Sequence, residues 1–332
     1  MIWLTWRQFR TQAFVAVAGL VVVGAYLVYL GLRIRHDYTA GIVNCLPSDC
    51  STTRRTFSER YEGPVALAGA LLIGVPGLIG IFWGAPLAAR ELETKTDRLV
   101  WNQSVTRVRW LAVKLAVLGA AAIAVTGAYS LLLTWSASRY DQFAGDRFAA
   151  MNFAARNVTP LGYAAFAFAL GTVVGLLVRR TVASMAIVAG VFAVVQIVVP
   201  AVARDHFMPP VTTNVAFAAD VMEHADGFGM NPTSAHLIGY TMPGTWPMQG
   251  VSQVYNADGT PYTAAQAREC MKGDPAEDMA CTAEQNLHFS YTYQPGHRYW
   301  PFQWIETAAY TVLAALLAAF GLWWVRRRIT LR

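Results

Sequence analysis

The chain has 332 residues, of which 55% are hydrophobic and only 14% charged, with a formal net charge of +6. A soluble domain carries about a quarter charged residues, so this composition excludes an ordinary water-soluble fold. It points to lipid as the solvent, where a helix needs about 20 consecutive apolar residues to cross.

Charge disappears for that length six times, over residues 13–32, 64–89, 115–138, 158–178, 181–203 and 307–325. Before the first run, Trp3, Trp6 and Phe9 recur at roughly helical spacing, with Arg7 and Arg10 between them. This predicts a short interfacial elbow helix over residues 1–12, and an aromatic-belt anchor fits the same residues equally well. The first run is too long for a signal peptide, and Gly31, Leu32 and Arg33 follow it instead of a small-residue cleavage site. Residues 33–63 are polar and carry Cys45, Pro47 and Cys50, which predicts a disulfide-pinned loop.

The second run contains Pro76 and Pro86 among Gly74, Gly77, Gly80 and Gly84, predicting a kinked helix packed closely on a neighbour. Gly80 and Gly84, like Gly171 and Gly175 in the fourth run, have small-xxx-small spacing, which more often serves packing within one subunit than dimerisation. Only Arg179 and Arg180 separate the fourth and fifth runs, so these form a tight hairpin. In the fifth run Ser184 and Gln196 are polar but uncharged, as interhelical hydrogen bonding would have them.

Residues 204–306 are too many for a bare loop and predict a small folded cap. Within it a hairpin is expected around Asn256-Ala257-Asp258-Gly259, a helix over 263–271 and a strand over 287–293. The last run opens on Tyr299, Trp300, Phe302 and Trp304 and closes on Trp323, Trp324 and three arginines, an aromatic and basic frame for a span.

Fourteen of the 26 Lys and Arg fall in residues 1–12, 90–114, 179–180 and 326–332, together with only three of the 20 Asp and Glu. Basic residues mark the cytoplasmic flanks of spans, so both termini are expected in the cytoplasm of a plasma-membrane protein. The net charge is then topological and gives no sign of nucleic-acid binding. Cys45, Cys50, Cys270 and Cys281 all fall on the exterior, where oxidation is permitted. Of three possible connectivities, the short separations favour Cys45 with Cys50 and Cys270 with Cys281. The expected fold is an all-α polytopic membrane protein with six transmembrane helices, an elbow and a small disulfide-containing external cap. Its divisions are 1–12, 13–203, 204–306 and 307–332.

No Gly-Lys pair exists in the chain, so no phosphate-binding loop does either. The six histidines lack the one-turn pairing of a helical zinc site, and no nucleophile, base and orienter set is visible. His206, Glu223, His224 and His236 in the cap read as solvated loop residues. No Asp, Glu, Lys or Arg interrupts a span, which argues against an ion-coupled carrier, and Glu306 stands at the edge of the last one.

The informative segment is 90–114, which mixes both charge signs with Leu92, Leu99 and Trp101. Docking to a protein fits it, and so does an amphipathic helix resting on the membrane. Its Glu91 and Glu93, Thr96, Leu99, Val105-Thr106-Arg107 and Lys114 resemble the connection after the second span in permeases of the type-2 ATP-binding-cassette exporter family. There, acidic residues precede Gly-Thr, a leucine, Pro-Val-Ser-Arg and a lysine. Lys95 and Ser104 replace the glycine and the proline. Residues Tyr293-Gln294-Pro295, Arg298, Trp300, Phe302-Gln303 and Glu306 also resemble a group of actinobacterial permeases of that type.

The resemblance implies a coupling helix seated in a groove of a separate ATPase subunit, with Glu91, Glu93, Arg98, Leu99 and Arg107 as contact or orienting residues. Trp3, Trp6, Arg7 and Arg10 of the elbow would form a second contact. It implies two ATPase copies carrying ATP and Mg, no cofactor on this chain, a second permease copy, and export of an amphipathic or hydrophobic compound through the bilayer. A membrane sensor or resistance subunit that binds a ligand through its cap is the competing expectation.

Overall fold

The computed structural model describes residues 2–45, 51–94, 106–142, 147–270, 273, 278 and 281–328. Two compact units form, one of residues Met1–Ala144, Ala149–Arg204 and Trp300–Arg332, the other of Gly145–Phe148 and Asp205–Tyr299.

The first unit is helical and contains all six helices long and apolar enough to cross a membrane. Helix α1 runs Ile2–Asp37 and continues as a π-turn over Tyr38–Val43. The separate elbow expected over 1–12 is therefore corrected. Residues 2–18 contain neither Gly nor Pro, so nothing interrupts the backbone ladder. The polar loop expected over 33–63 shrinks likewise, because α1 reaches Asp37 and α2 (Ser51–Ile79) starts early. Asp37 ties their ends together, accepting hydrogen bonds from Arg60 Nη1 at 3.0 Å and Tyr61 Oη at 2.7 Å.

The second span leaves regular α-helix just before Pro86. Helix α2 passes into a π-turn, Gly80–Gly84, and then α3, Ala85–Glu93. Pro86 has no N–H for the carbonyl of Phe82 one turn back. That carbonyl instead accepts from Gln12 Nε2 of α1 at 3.2 Å, so the helix break is repaired from a neighbour.

Helices α4 (Arg107–Ala137), α5 (Ala150–Ala154), α6 (Thr159–Val178) and α7 (Thr181–Val198) follow, and α9 (Tyr299–Arg328) closes the unit. Helix α6 is the hub. The protein buries 72% of its apolar window, against 17–44% for the other five, which explains a sequence of alanine and glycine that lets neighbours approach from every side. A Cβ at Gly80 would stand 2.6 Å from the Ala167 carbonyl oxygen, and one at Gly84 would stand 2.7 Å from that of Phe168. Gly171 and Gly175 face Gly80 and Ala85 in the same contact. The two small-xxx-small pairs thus pack against each other within one chain. Arg179 takes the left-handed conformation, φ +58°, and turns α6 into α7.

The second unit corrects the all-α expectation for this part of the chain. Strands β1 (Val211–Ala216), β2 (Gly227–Asn231), β3 (Ser234–Ile238), β4 (Trp246–Pro247), β5 (Val251–Tyr255) and β6 (His288–Gln294) form an antiparallel sheet. Its order is β1-β6-β5-β3-β2, with β4 also on β6. Phe289 and Tyr291 alternate inward along β6 and join Leu237, Val254 and Tyr262 in a core of its own.

The turn at 256–259 forms, with Gly259 at φ +84°. The arm after it pairs with β5 through Asn256 N to Thr260 O at 2.8 Å and Tyr262 N to Val254 O at 3.0 Å, which make the isolated bridge of Tyr255 with Pro261. Two hydrogen bonds from Thr260 hold the Asp258 carboxyl in this turn below its usual pKa. Helix α8 (Ala264–Cys270) leads into the disulfide Cys270–Cys281, as the separations predict. Cys45 is also disulfide-bonded, and Cys50 lies outside the described residues.

Candidate functional site

The basic end of the helical unit gathers the sequence-predicted residues. Thr106 caps α4 by accepting from Arg109 N, so the Thr106-Arg107 part of the motif is a helix start with Arg107 as its first residue, while Thr96 and Val105 lie outside the described residues. Two turns on, Lys114 is 4% exposed, and its ammonium forms an ion pair with Glu91 of α3. The same ammonium lies 4.6 Å from the centre of the buried Trp110 ring. Burial of a lysine is tolerated only with such partners.

Glu93 reaches in another direction. Its Oε2 accepts from Thr181 N at 3.1 Å and Thr181 Oγ1 at 2.8 Å. It thus serves as a remote N-cap for α7, whose own N-cap residue, Arg180, makes no side-chain cap. A carboxylate there also meets the positive end of the helix. The two acidic residues that open the 90–114 connection are therefore anchored to two different helices.

Arg98 and Leu99 lie outside the described residues, as do the side chains of Trp3 and Trp6. Arg7 and Arg10 are exposed on the first turns of α1. Phe9 between them is buried edge-on against Trp83, ring centres 4.6 Å apart, which pins the start of α1 to the second span.

The opposite end holds a cluster that sequence reading missed. Arg204 and Glu306 are 1% and 0% exposed and form a two-pronged ion pair, Nε to Oε2 at 2.9 Å and Nη2 to Oε1 at 3.1 Å. Tyr163 of α6 donates to the same carboxylate, and the Arg204 guanidinium lies 4.2 Å from the centre of the Phe153 ring. One turn earlier in α9, Gln303 accepts from Thr159 N at 3.2 Å and donates to Phe153 O at 2.9 Å.

Tyr310 donates to Gln196 at 3.0 Å, the interhelical bond expected of that glutamine. Ser184 instead bonds back to Arg180 O in its own helix. The sequence division puts Arg204 first and Glu306 last in the cap. Both belong to the helical unit, because each is the other's only way to be buried with charge balanced. The available signal was their symmetry, an arginine just after the fifth apolar run and a glutamate just before the sixth.

Among the described residues no three of His, Cys, Asp and Glu gather as metal ligands. The histidines of the second unit are dispersed, with His236 bonded to Ser234 Oγ at 2.9 Å.

A family model described as ABC-2 membrane transporter related matches residues 17–204, more than half the chain. The match runs from within the first span through the fifth and stops just before Asp205–Tyr299, the main segment of the second unit. No curated protein and no solved structure matches.

Proposed function

The chain belongs to the ABC-2 membrane transporter related family, and from that membership we propose that it is the permease subunit of an ATP-driven exporter. It moves an amphipathic or hydrophobic substrate, such as a drug, antibiotic or lipid, outward across the plasma membrane. Its termini are cytoplasmic, its partners are two ATPase subunits that carry ATP and Mg, and it pairs with a second copy of itself.

The observation that carries this reading is the anchoring of both ends of the 90–114 connection. Glu91 holds Lys114, and Glu93 holds Thr181. A push on the segment between them reaches α3, α4 and the α6–α7 hairpin at once, as a coupling element requires. In this reading Glu91 and Glu93 orient the segment, while Arg98, Leu99 and Arg107 meet the ATPase. The start of α1, with Trp3, Trp6, Arg7 and Arg10, makes the second contact.

Affinity purification in mild detergent from the native host tests it. A nucleotide-hydrolysing subunit co-purifies, and the double variant Arg98→Glu, Leu99→Asp loses that subunit while keeping its thermal unfolding midpoint. Recovery of the chain alone, or with a kinase, would favour instead a sensor whose separately cored second unit binds the ligand.

A further inference from the structure

Two open-sided cavities meet between α1, the second span and α4. One, of about 480 Å³, lies at the basic end, where Phe9, Gln12, Trp83, Arg90, Glu91 and Lys114 contribute to its wall. The other, of about 530 Å³, runs away from that end between Val15, Gly19, Val23, Leu78, Phe82 and Val125. Gln12 and Trp83 line both, so the combined volume is polar at one end and apolar along the rest.

The lining of the apolar part follows α1 from Thr11 to Val23, about 18 Å at the helical rise. One leaflet offers about 15 Å of hydrocarbon, half of a core about 30 Å thick. At Gly19 no atom stands within 4 Å of where a Cβ would lie, so the groove is empty there. In the polar part Glu91 and Lys114 neutralise each other. Arg90 is exposed and makes no ion pair among the described residues, which leaves one positive charge at the mouth.

We propose that this is a binding site for one anionic phospholipid of the leaflet at the basic end. The phosphate sits at Arg90, and one acyl chain lies in the groove between α1 and its neighbours. Arg90 holds the phosphate by charge-assisted hydrogen bonding and favours a headgroup of net negative charge, since a zwitterionic one brings its own cation beside the guanidinium; the neck at Gln12 and Trp83 sets the depth. The site is independent of what powers the protein.

Native mass spectrometry of the full chain in maltoside detergent tests this, with phosphatidylglycerol or phosphatidylcholine of identical acyl chains added. The wild type retains one phosphatidylglycerol per chain in about tenfold preference over phosphatidylcholine, whose choline cation offsets the attraction of its phosphate to Arg90. Arg90→Gln removes the preference, and Gly19→Leu removes both adducts. Should Gly19→Leu lower the thermal midpoint, Val15→Trp, at a wall position 69% exposed, fills the same groove.

Equal retention of the two lipids by the wild type, or a preference that survives both Arg90→Gln and the groove-filling variant, overturns the proposal. So does a groove-filling variant that keeps its lipid and instead converts a dimer to monomers, since the groove would then be a contact between copies.

Discussion

Among the described residues, three ion pairs in the helical unit have a buried basic member, Lys114–Glu91, Arg156–Asp141 and Arg204–Glu306, and the first and the last join different long helices or span ends. Lys114 and Glu91 retain 5% and 15% side-chain exposure. Removing one member strands the other, at a typical loss of 3–5 kcal/mol in a closed site. Lys114→Met should therefore lower stability by about 3 kcal/mol, the lower end, because Glu91 keeps some contact with solvent. The charge swap Glu91→Lys with Lys114→Glu should recover most of it, read as the thermal midpoint in detergent.

Arg204 and Glu306 have no such outlet. Arg204→Met should cost about 4 kcal/mol. The double variant with Glu306→Leu should be less destabilised than the sum of the two singles, the signature of a coupled pair. A double-mutant cycle on unfolding midpoints measures the difference. The residue types at these four positions are plain in the sequence. Their pairing is not, since Arg204 and Glu306 are 102 residues apart.

At the scale of elements, the contact of α6 with the π-turn and α3 depends on missing side chains. A Cβ at Gly171 would run into the Gly80 carbonyl, whereas one at Gly190 of α7 meets nothing within 4 Å. Gly171→Ala should thus destabilise by about 1–3 kcal/mol through forced separation of the helices. Gly190→Ala should be neutral or slightly stabilising, since it relieves backbone entropy inside a helix. Thermal melts of the two variants side by side decide the point. The glycine spacing was legible as a packing signal, and so was the interruption of the helix beside Pro86. The identity of the partner faces was not, because a helical stripe records only that something comes close.

At the scale of the molecule, the two units have separate cores. The Cys270–Cys281 disulfide closes a short loop of the second unit, with a sequence separation of 11. Chain-entropy arguments give such a loop about 3 kcal/mol. Replacing both cysteines by serine should reduce hydrogen-exchange protection in β5, β6 and α8 and leave that of α4 and α6 unchanged. Equal loss of protection in both units would contradict separate cores. The family match ends at Arg204, just before the main segment of the second unit, and leaves out α9 of the first.

The sequence by itself determined the number and place of the spans, the tight α6–α7 turn, the disulfide at Cys270 and the strand at β6. Each follows from a local rule: charge is excluded from hydrocarbon over about 20 residues, two residues cannot form more than a turn, and alternation marks a half-buried strand. Tertiary structure alone decided which strands neighbour one another and how Glu91, Glu93, Arg204 and Glu306 are satisfied. These depend on atoms brought together from distant parts of the chain, and a buried charge is placed by the partner that makes its burial affordable, which no local pattern records.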